Sequence, residues 1–352
     1  MVLHKCAIIS TISDTFHTLN NYDCIHHAAI IRQIEQVKYD QMSNFQHCGL
    51  YFTPDHIQIA HEHVSHEPFQ SAWLYLSTQP TSDDGMNDSD LILQAFRYRL
   101  SSNHDAGEQV IHALQSGYGL NLDSYPTYFD ALVTGVTLAH ATEMVRDHPA
   151  FASGYASWQA NYANFADQLQ HPPENSTVVD HIWLGFFNLV AGIVLDADDR
   201  FEAGCEVFRH TIQQIRPEGY LAAAVEGEDE ASFQRQFLVV AALVCMAEAA
   251  THAGVDLWNY NTRGISITTA AAYMTYYYYY PTQWRWATIA EEPAKALFTD
   301  AASFLEMVYY HARPHDLKLL LEEQRPLFNP ALGGLTTLTH AIPSKERRGL
   351  FG

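Results

Sequence analysis

The chain has 352 residues, 47% hydrophobic and 17% charged, a composition typical of a globular protein with a large core and not of a disordered chain. Its formal net charge of −21 produces a negative field that disfavours nucleic acid and anionic membrane surfaces as partners. The five cysteines form no close pair and leave one over, so a disulfide framework is excluded.

Residues 1–48 form a polar, histidine-rich lead with one predicted helix, Cys24 to Tyr39. The apolar stretch at the amino terminus is only a few residues long, which makes a poor signal peptide. No window of about 18 residues is apolar without charge, so no membrane insertion is expected. We therefore expect a cytoplasmic protein, or a secreted one if the amino terminus is incomplete.

From Gly49 onward the pattern predicts a succession of helices. Thr53 is a good N-cap, and Pro54 suits the first helical position. Ser89 is predicted to cap a later helix, whose apolar residues recur at helical spacing. The predicted helices run roughly over 54–64, 69–76, 89–100, 105–116, 127–146, 149–169, 178–196, 200–215, 230–253, 266–279, 287–311 and 315–324.

Strand signals are almost absent, because the sequence has little sustained alternation and no Asn-Gly or Asp-Gly turn. Many helices joined by short loops indicate antiparallel neighbours wrapped into one closed layer or a double ring. The sequence therefore predicts an all-α protein. It makes no prediction of the oligomeric state.

Twenty histidines are present, and the densest group lies at residues 61–66. Metal ligands on one helix need a spacing of three or four residues, which only His63 and His66 supply here. A solvated helix face is the better interpretation of this group. No metal site and no cofactor is predicted.

Several segments carry a resemblance to a known family. Val179-Asp180-His181-Ile182-Trp183 begins a long apolar helix, and Gly219-Tyr220-Leu221 forms a turn before the next one, which ends at Gly254-Val255-Asp256-Leu257-Trp258. Together with Gly49–Thr53, Pro68–Trp73, Arg325–Leu327 and Gly333–Leu338, these segments resemble the alginate-lyase-type (α/α) toroid superfamily of polysaccharide lyases. The resemblance runs from Gly49 to about Ile342.

The resemblance implies a single (α/α) toroid, similar to chondroitin AC lyase and alginate lyase, over residues 49–345, with a tail at 346–352. It also implies a lyase that cleaves a uronic-acid-containing glycan by β-elimination, with a poly- or oligosaccharide as its binding partner. Such a reaction needs a group that neutralises the carboxylate, a base for the C5 proton and an acid for the leaving oxygen.

The family's Asn-Asn-His falls on Val179-Asp180-His181, which assigns His181 as neutraliser or base. The adjacent asparagine is replaced by Asp180, and an ionised aspartate cannot donate a hydrogen bond to a substrate carboxylate. The alternative for His181 is a helix-start histidine bonded to a backbone carbonyl.

The family's tyrosine falls near Arg235, and its supporting arginine falls near Glu228. No tyrosine lies between Leu221 and Trp258. The catalytic tyrosine is therefore predicted to be Tyr273, or a member of the run Tyr276–Tyr280.

The remaining predicted residues concern substrate binding. Arg235 can hold a substrate carboxylate through two hydrogen bonds, or it can pair with Glu228 or Asp229 on a helix face. Asp180 and Glu228 are included among the predicted substrate-binding residues. The tryptophans predicted to stack on sugar rings, with helix packing as the alternative, are Trp183, Trp258, Trp284 and Trp286.

Two other functions fit the same sequence. A non-catalytic glycan-binding protein would keep the fold without the family's Asn, Arg and Tyr set. A hydrolase of unsaturated uronides would use a carboxylic acid, for which Asp180 is the candidate.

Overall fold

The structure is a computed structural model that describes residues 47–343, except 83, 84 and 228. The described residues belong to one compact unit, Gln46–Gly352. The predicted helix from Cys24 to Tyr39, the tail at 346–352 and Glu228 lie outside the described residues.

Across the described part of the chain, α-helices follow one another and β-structure is limited to three isolated bridges. The all-α prediction is confirmed. The helices are α1 (Pro54–Glu62), α2 (Phe69–Thr78), α3 (Asp88–Ser101), α4 (His104–Gln115), α5 (Tyr128–Val145), α6 (Tyr155–Gln168), α7 (Val178–Leu195), α8 (Asp198–Gln214), α9 (Ala222–Val225), α10 (Ala231–His252), α11 (Ile267–Tyr279), α12 (Glu291–Ala301), α13 (Phe304–Ala312), α14 (His315–Gln324) and α15 (Thr336–His340).

Three long helices, α5, α7 and α10, form an inner layer. Residues 134–145, 185–194 and 239–250 of these helices are buried without interruption. A helix that is apolar on all sides belongs in a protein core, because every face needs a packing partner. The outer helices are buried on one side only; in α4, for example, the buried residues are Ala106, Gly107, Val110, Ile111, Ala113 and Leu114.

The chain direction within the inner layer follows from specific contacts. Gly135 of α5 faces the Phe187 ring of α7, and Arg146, just after α5, donates to Val194 O near the end of α7. These two contacts make α5 and α7 parallel. The outer helix α8 runs back to the end of the barrel where α7 starts, and α10 also begins there. A hydrogen bond from Trp183 Nε1, near the start of α7, to Leu238 O, near the start of α10, places the two helix starts side by side, with a length of 3.1 Å. All three inner helices therefore point the same way.

Helix α8 packs antiparallel on α7 at very short range, and glycines allow the approach. A Cβ atom added at Gly192 would lie 2.5 Å from Phe201 N, and one added at Gly204 would lie 2.6 Å from Leu189 Cβ. Real Cβ atoms do not come so near to a backbone atom, so the two helices are as close as their main chains permit.

Replacing Gly192 with alanine is expected to destabilise the protein by about 1–2 kcal/mol. Overpacking a close contact costs about 1–3 kcal/mol, whereas alanine gains only about 1 kcal/mol over glycine in a helix interior. Urea unfolding followed by circular dichroism measures the difference. Gln213→Ala, at an exposed position of α8, is the control and should be nearly neutral. A more stable Gly192→Ala protein would contradict the close contact.

Several predicted helix limits are wrong. The helix predicted over 149–169 begins only at Tyr155, after a 3₁₀ turn at Pro149–Phe151. Asn87, not Ser89, caps α3, since its side chain accepts from the backbone N–H three residues later. The single helix predicted over 287–311 is divided into α12 and α13. The break is at Ser303, whose carbonyl accepts from the Thr336 hydroxyl over 2.7 Å, a contact with a distant segment that local sequence does not reveal.

Helices α7 and α10 are long and apolar enough, by length and composition, to cross a membrane. Their most apolar windows are, however, 72% and 83% buried inside the protein. The inner layer of a helical barrel accounts for this apolar character. The absence of membrane insertion stays a prediction.

Candidate functional site

The first predicted residues lie where α7 begins. Thr177 is the N-cap, and its hydroxyl accepts from Asp180 N over 3.2 Å while Asp180 Oδ2 accepts from Thr177 N over 2.6 Å. This reciprocal pair is a capping box, which satisfies two free N–H groups of the helix start. The Asp180 carboxylate therefore faces its own helix start. Its negative charge also affects the nearby Tyr128: burial is the larger cause that raises the pKa of Tyr128 to about 12, and the charge of Asp180 is the second cause.

His181 follows on the first turn of α7 and is exposed. Its main-chain N–H donates to Thr177 O over 3.2 Å. Among the described residues no side chain or carbonyl binds its imidazole, so both ring nitrogens are accessible to a ligand. The alternative for His181, an imidazole hydrogen-bonded to a backbone carbonyl, is not seen among the described residues.

Arg235 lies on the first turns of α10 and ties the preceding loop to that helix. Its Nε donates to Ala224 O over 2.8 Å, and Nη2 donates to Glu226 O over 3.1 Å. Nη1 lies 3.0 Å from an oxygen of Asp229. The guanidinium therefore pairs with Asp229 on the helix face, which is the predicted alternative to binding a substrate carboxylate. Only part of its hydrogen-bond donors remain for a substrate.

Tyr273 belongs to an aromatic cluster formed by Tyr220, Tyr273, Tyr277, Trp284 and Trp286. Its Cβ packs on Gly219, which adopts a positive φ of 110° in the turn before α9. Burial, and next the Tyr277 hydroxyl, raise the pKa of Tyr273. The phenol therefore stays protonated at neutral pH, which suits a proton donor and not a base.

A cavity of about 420 Å³ adjoins this cluster, with Arg216, Glu218, Tyr220 and Trp286 among its lining residues. The rings of Tyr220 and Trp286 are only half-buried, and their centroids lie 4.6 Å apart. The guanidinium of exposed Arg285 lies over both rings. Accessible aromatic faces suit a sugar ring, and the charges around the cavity are mixed, because Glu218 and Glu226 line it together with Arg216.

Three of the four tryptophans predicted to stack on sugars lie in the interior instead. Trp183, Trp258 and Trp284 are 2%, 8% and 5% exposed. Each indole N–H is also used: Trp183 donates to Leu238 O, Trp258 to Glu248 Oε2 and Trp284 to Ser232 Oγ. Because their ring faces are buried, these three tryptophans pack between helices, which was the alternative to sugar stacking. Trp286, nearby in sequence, has the accessible ring.

A second polar cluster, not foreseen from the sequence, surrounds Glu248 near the end of α10. Glu248 Oε1 lies 3.1 Å from His252 Nε2 and 3.3 Å from His340 Nε2. Glu248 Oε2 lies 2.7 Å from His311 Nε2 and accepts from Trp258 Nε1 over 2.8 Å. Burial raises the pKa of this carboxyl, but the three imidazoles outweigh burial and hold it well below its usual range. The carboxylate is therefore ionised inside the protein.

His56, on α1, completes this cluster. Its Nδ1 accepts a hydrogen bond from Thr53 N over 3.1 Å, which makes it part of the capping box of α1, and lies 2.9 Å from Thr53 Oγ1. Its Nε2 is buried and has no hydrogen-bond partner among the described residues. One possible ligand atom from each of His56, Glu248 and His340 lies within 4.8 Å of the other two. Burial, and next the neighbouring His340, lower the pKa of His56 to about 3, so its imidazole is neutral.

The two regions lie at opposite ends of α10. Thirteen residues separate Arg235 from Glu248, a rise of about 20 Å along a helix. The Glu248 cluster has no sequence motif, because its members come from α1, α10, α13 and α15. One signal was available: Glu248 interrupts an otherwise apolar buried run, and acids are rarely buried without partners.

Comparison with known proteins gives the class. The profile of the family described as "Alginate lyase" matches residues 127–284. Alginate lyase A1-III from Sphingomonas species A1 has a TM-score of 0.61 and 16% identity, over 73% of this chain and 75% of that one. A histidine-to-alanine variant of alginate lyase A1-III, complexed with a tetrasaccharide, gives 0.61 and 17%, over 80% and 78%.

An alginate lyase from Bacteroides ovatus gives a TM-score of 0.60 and 12% identity, over 84% of this chain and 99% of that one. No curated protein sequence matches the chain significantly. The fold is the (α/α) toroid that the sequence predicts. In fold and in the segment 127–284, the chain resembles the alginate-lyase-type superfamily of polysaccharide lyases.

Proposed function

We propose that the chain is a polysaccharide lyase that cleaves a uronic-acid-containing glycan by β-elimination, at the end of the barrel where α7 and α10 begin. The observation that carries the proposal is the family match over residues 127–284, because this segment contains His181, Arg235, Tyr273 and the Gly219–Leu221 turn. The accessible imidazole of His181 supports it further.

In the proposed reaction, His181 takes the C5 proton of the uronate. The electrons of the C5–H bond form the C4–C5 double bond, and the C4–O bond breaks. Tyr273, protonated at neutral pH, gives its phenolic proton to the leaving oxygen. Its hydroxyl is buried and has no hydrogen-bond partner among the described residues, so the leaving oxygen would be its partner once the substrate reaches it. Asp180 is an anion and cannot neutralise the substrate carboxylate. Arg285, which is exposed beside Trp286, supplies the positive charge for this role.

His181→Ala is expected to lower the lyase rate by a factor of about 100 to 10,000, the usual loss when a general base is removed. The ultraviolet absorbance of the new C4–C5 double bond, recorded on a panel of uronate polymers, measures the rate. His112→Ala, which removes an exposed histidine from α4, is the matched control and should keep full activity. Unchanged activity in His181→Ala would refute the assignment of the base.

A second candidate is a non-catalytic glycan-binding protein on the same fold. Asp180 and Arg235 are both engaged at their own helix starts, which favours this alternative. Binding to uronate oligosaccharides without any gain of ultraviolet absorbance would identify it. Loss of absorbance from already unsaturated oligosaccharides would instead identify the hydrolase, for which Asp180 is the candidate acid.

A further inference from the structure

We propose that His56, Glu248 and His340 form a binding site for a divalent transition-metal ion of the zinc type. The site lies at the end of α10 remote from His181, and it does not depend on the proposed lyase activity. Two imidazoles and one carboxylate are a ligand set that such ions take in proteins, whereas calcium and magnesium prefer oxygen ligands throughout.

The positions of the ligand atoms support the site. The three atoms lie within 4.8 Å of one another, and a zinc ion with bonds of about 2.1 Å needs neighbouring ligands about 3.4 Å apart. Small side-chain movements close this difference. Glu248 offers Oε1, while Oε2 keeps the N–H donors of Trp258 and His311 and so orients the carboxylate.

The outer nitrogens of both histidines have suitable partners. Nδ1 of His56 lies 2.9 Å from the Thr53 hydroxyl, and Nδ1 of His340 lies 2.8 Å from the Thr339 hydroxyl. A hydroxyl oxygen can accept a hydrogen bond from Nδ1–H, which leaves the lone pair of Nε2 for a metal ion. In His56 the metal-binding tautomer replaces the hydrogen bond that Nδ1 accepts from Thr53 N over 3.1 Å with one that Nδ1–H donates to the Thr53 hydroxyl.

A hydrogen-bond network alone does not account for the cluster. Glu248 is already satisfied by His252, His311 and Trp258, yet Nε2 of His56, whose ring centroid lies 5.1 Å from that of His340, is also buried at this cluster. That nitrogen has no partner among the described residues, and an unmet polar atom in the interior costs about 1–3 kcal/mol. Coordination to a metal ion gives it a partner.

The test uses the full chain stripped of metal by a chelator and titrated with Zn²⁺ against a chromogenic chelator. Wild-type protein should bind one tight equivalent. His56→Asn and His340→Asn keep an acceptor where Nδ1 stood and remove Nε2, so each should weaken binding by more than about 100-fold. His61→Asn, on the same helix as His56 but exposed, is the matched control for adventitious binding by the many surface histidines and should bind like wild type.

A second measurement needs no variant, so a folding defect cannot obscure the result. Co²⁺ added to the wild-type protein should give the visible absorption of a tetrahedral nitrogen and oxygen site, and Zn²⁺ should remove that absorption. Elemental analysis of the protein as isolated identifies the native ion. No stoichiometric Zn²⁺ binding by wild type, or unchanged binding in both asparagine variants, would overturn the proposal.

Discussion

Replacing Arg325 with methionine is expected to lower the free energy of unfolding by about 3–5 kcal/mol. Arg325 Nε and Nη2 donate to the two oxygens of Glu306 over 2.7 and 2.8 Å, and the Glu306 side chain is fully buried. Methionine keeps the apolar stem and removes the charge. Among the described residues, the carboxylate would then keep only the Thr337 hydroxyl, 3.1 Å away, as a donor.

Two controls isolate the buried charge as the cause. Arg209→Met breaks the ion pairs with Glu202 and Glu206, whose side chains are 42% and 65% exposed, and should cost less than about 1 kcal/mol. The double variant Glu306→Gln with Arg325→Met removes both charges and should be more stable than Arg325→Met alone. Urea unfolding measures all of these free energies. Equal losses for Arg325→Met and Arg209→Met would mean that the buried pair contributes little.

Phe187→Ala is expected to cost about 3–5 kcal/mol, because it leaves a cavity in the inner layer. Phe187 of α7 is completely buried. Its ring fills the space opened by Gly135 of α5, and it packs at 6.0 and 6.2 Å from the rings of Tyr162 and Phe165 in α6. Three helices therefore meet at this side chain, and none can close the gap without moving its backbone.

The same position supplies a graded control. Phe187→Leu removes less volume and should lose clearly less stability than Phe187→Ala. Tyr276→Ala changes an aromatic residue that is 44% exposed and should stay within about 0.5 kcal/mol of wild type. The free energies come from the same urea titrations. If Phe187→Ala is as stable as Tyr276→Ala, the close packing of α5, α6 and α7 is refuted.

The helices were predictable because their signals are local. The apolar runs of α7 and α10 and the Thr53-Pro54 start of α1 lie within a few residues of one another. The wrong limits have non-local or finely balanced causes. The Thr336 hydroxyl donates to the carbonyl of Ser303 at the break between α12 and α13. At α3, Asn87 and Ser89 are both suitable N-cap residues, and Asn87 is the one that caps the helix.

Residues of the candidate lyase site were predictable only in part. His181 stays a prediction, which the sequence allows because the motif that carries it is contiguous and begins a helix. Residue type alone led to Trp183, Trp258 and Trp284 as sugar-stacking residues, but tertiary packing decides whether a ring reaches solvent. The Glu248 cluster was missed because four distant segments build it.

The parallel course of α5, α7 and α10 gives the two ends of the barrel opposite electrostatic character. Each helix carries about half a positive charge at its amino end and half a negative charge at its carboxyl end. The three aligned amino ends contribute partial positive charge near His181, which the carboxylates of Asp130 and Asp180 in the first turns of α5 and α7 offset in part. The carboxyl ends produce the opposite potential near Glu248, where cations are stabilised. One helix arrangement thus directs anions and cations to different ends of the same molecule.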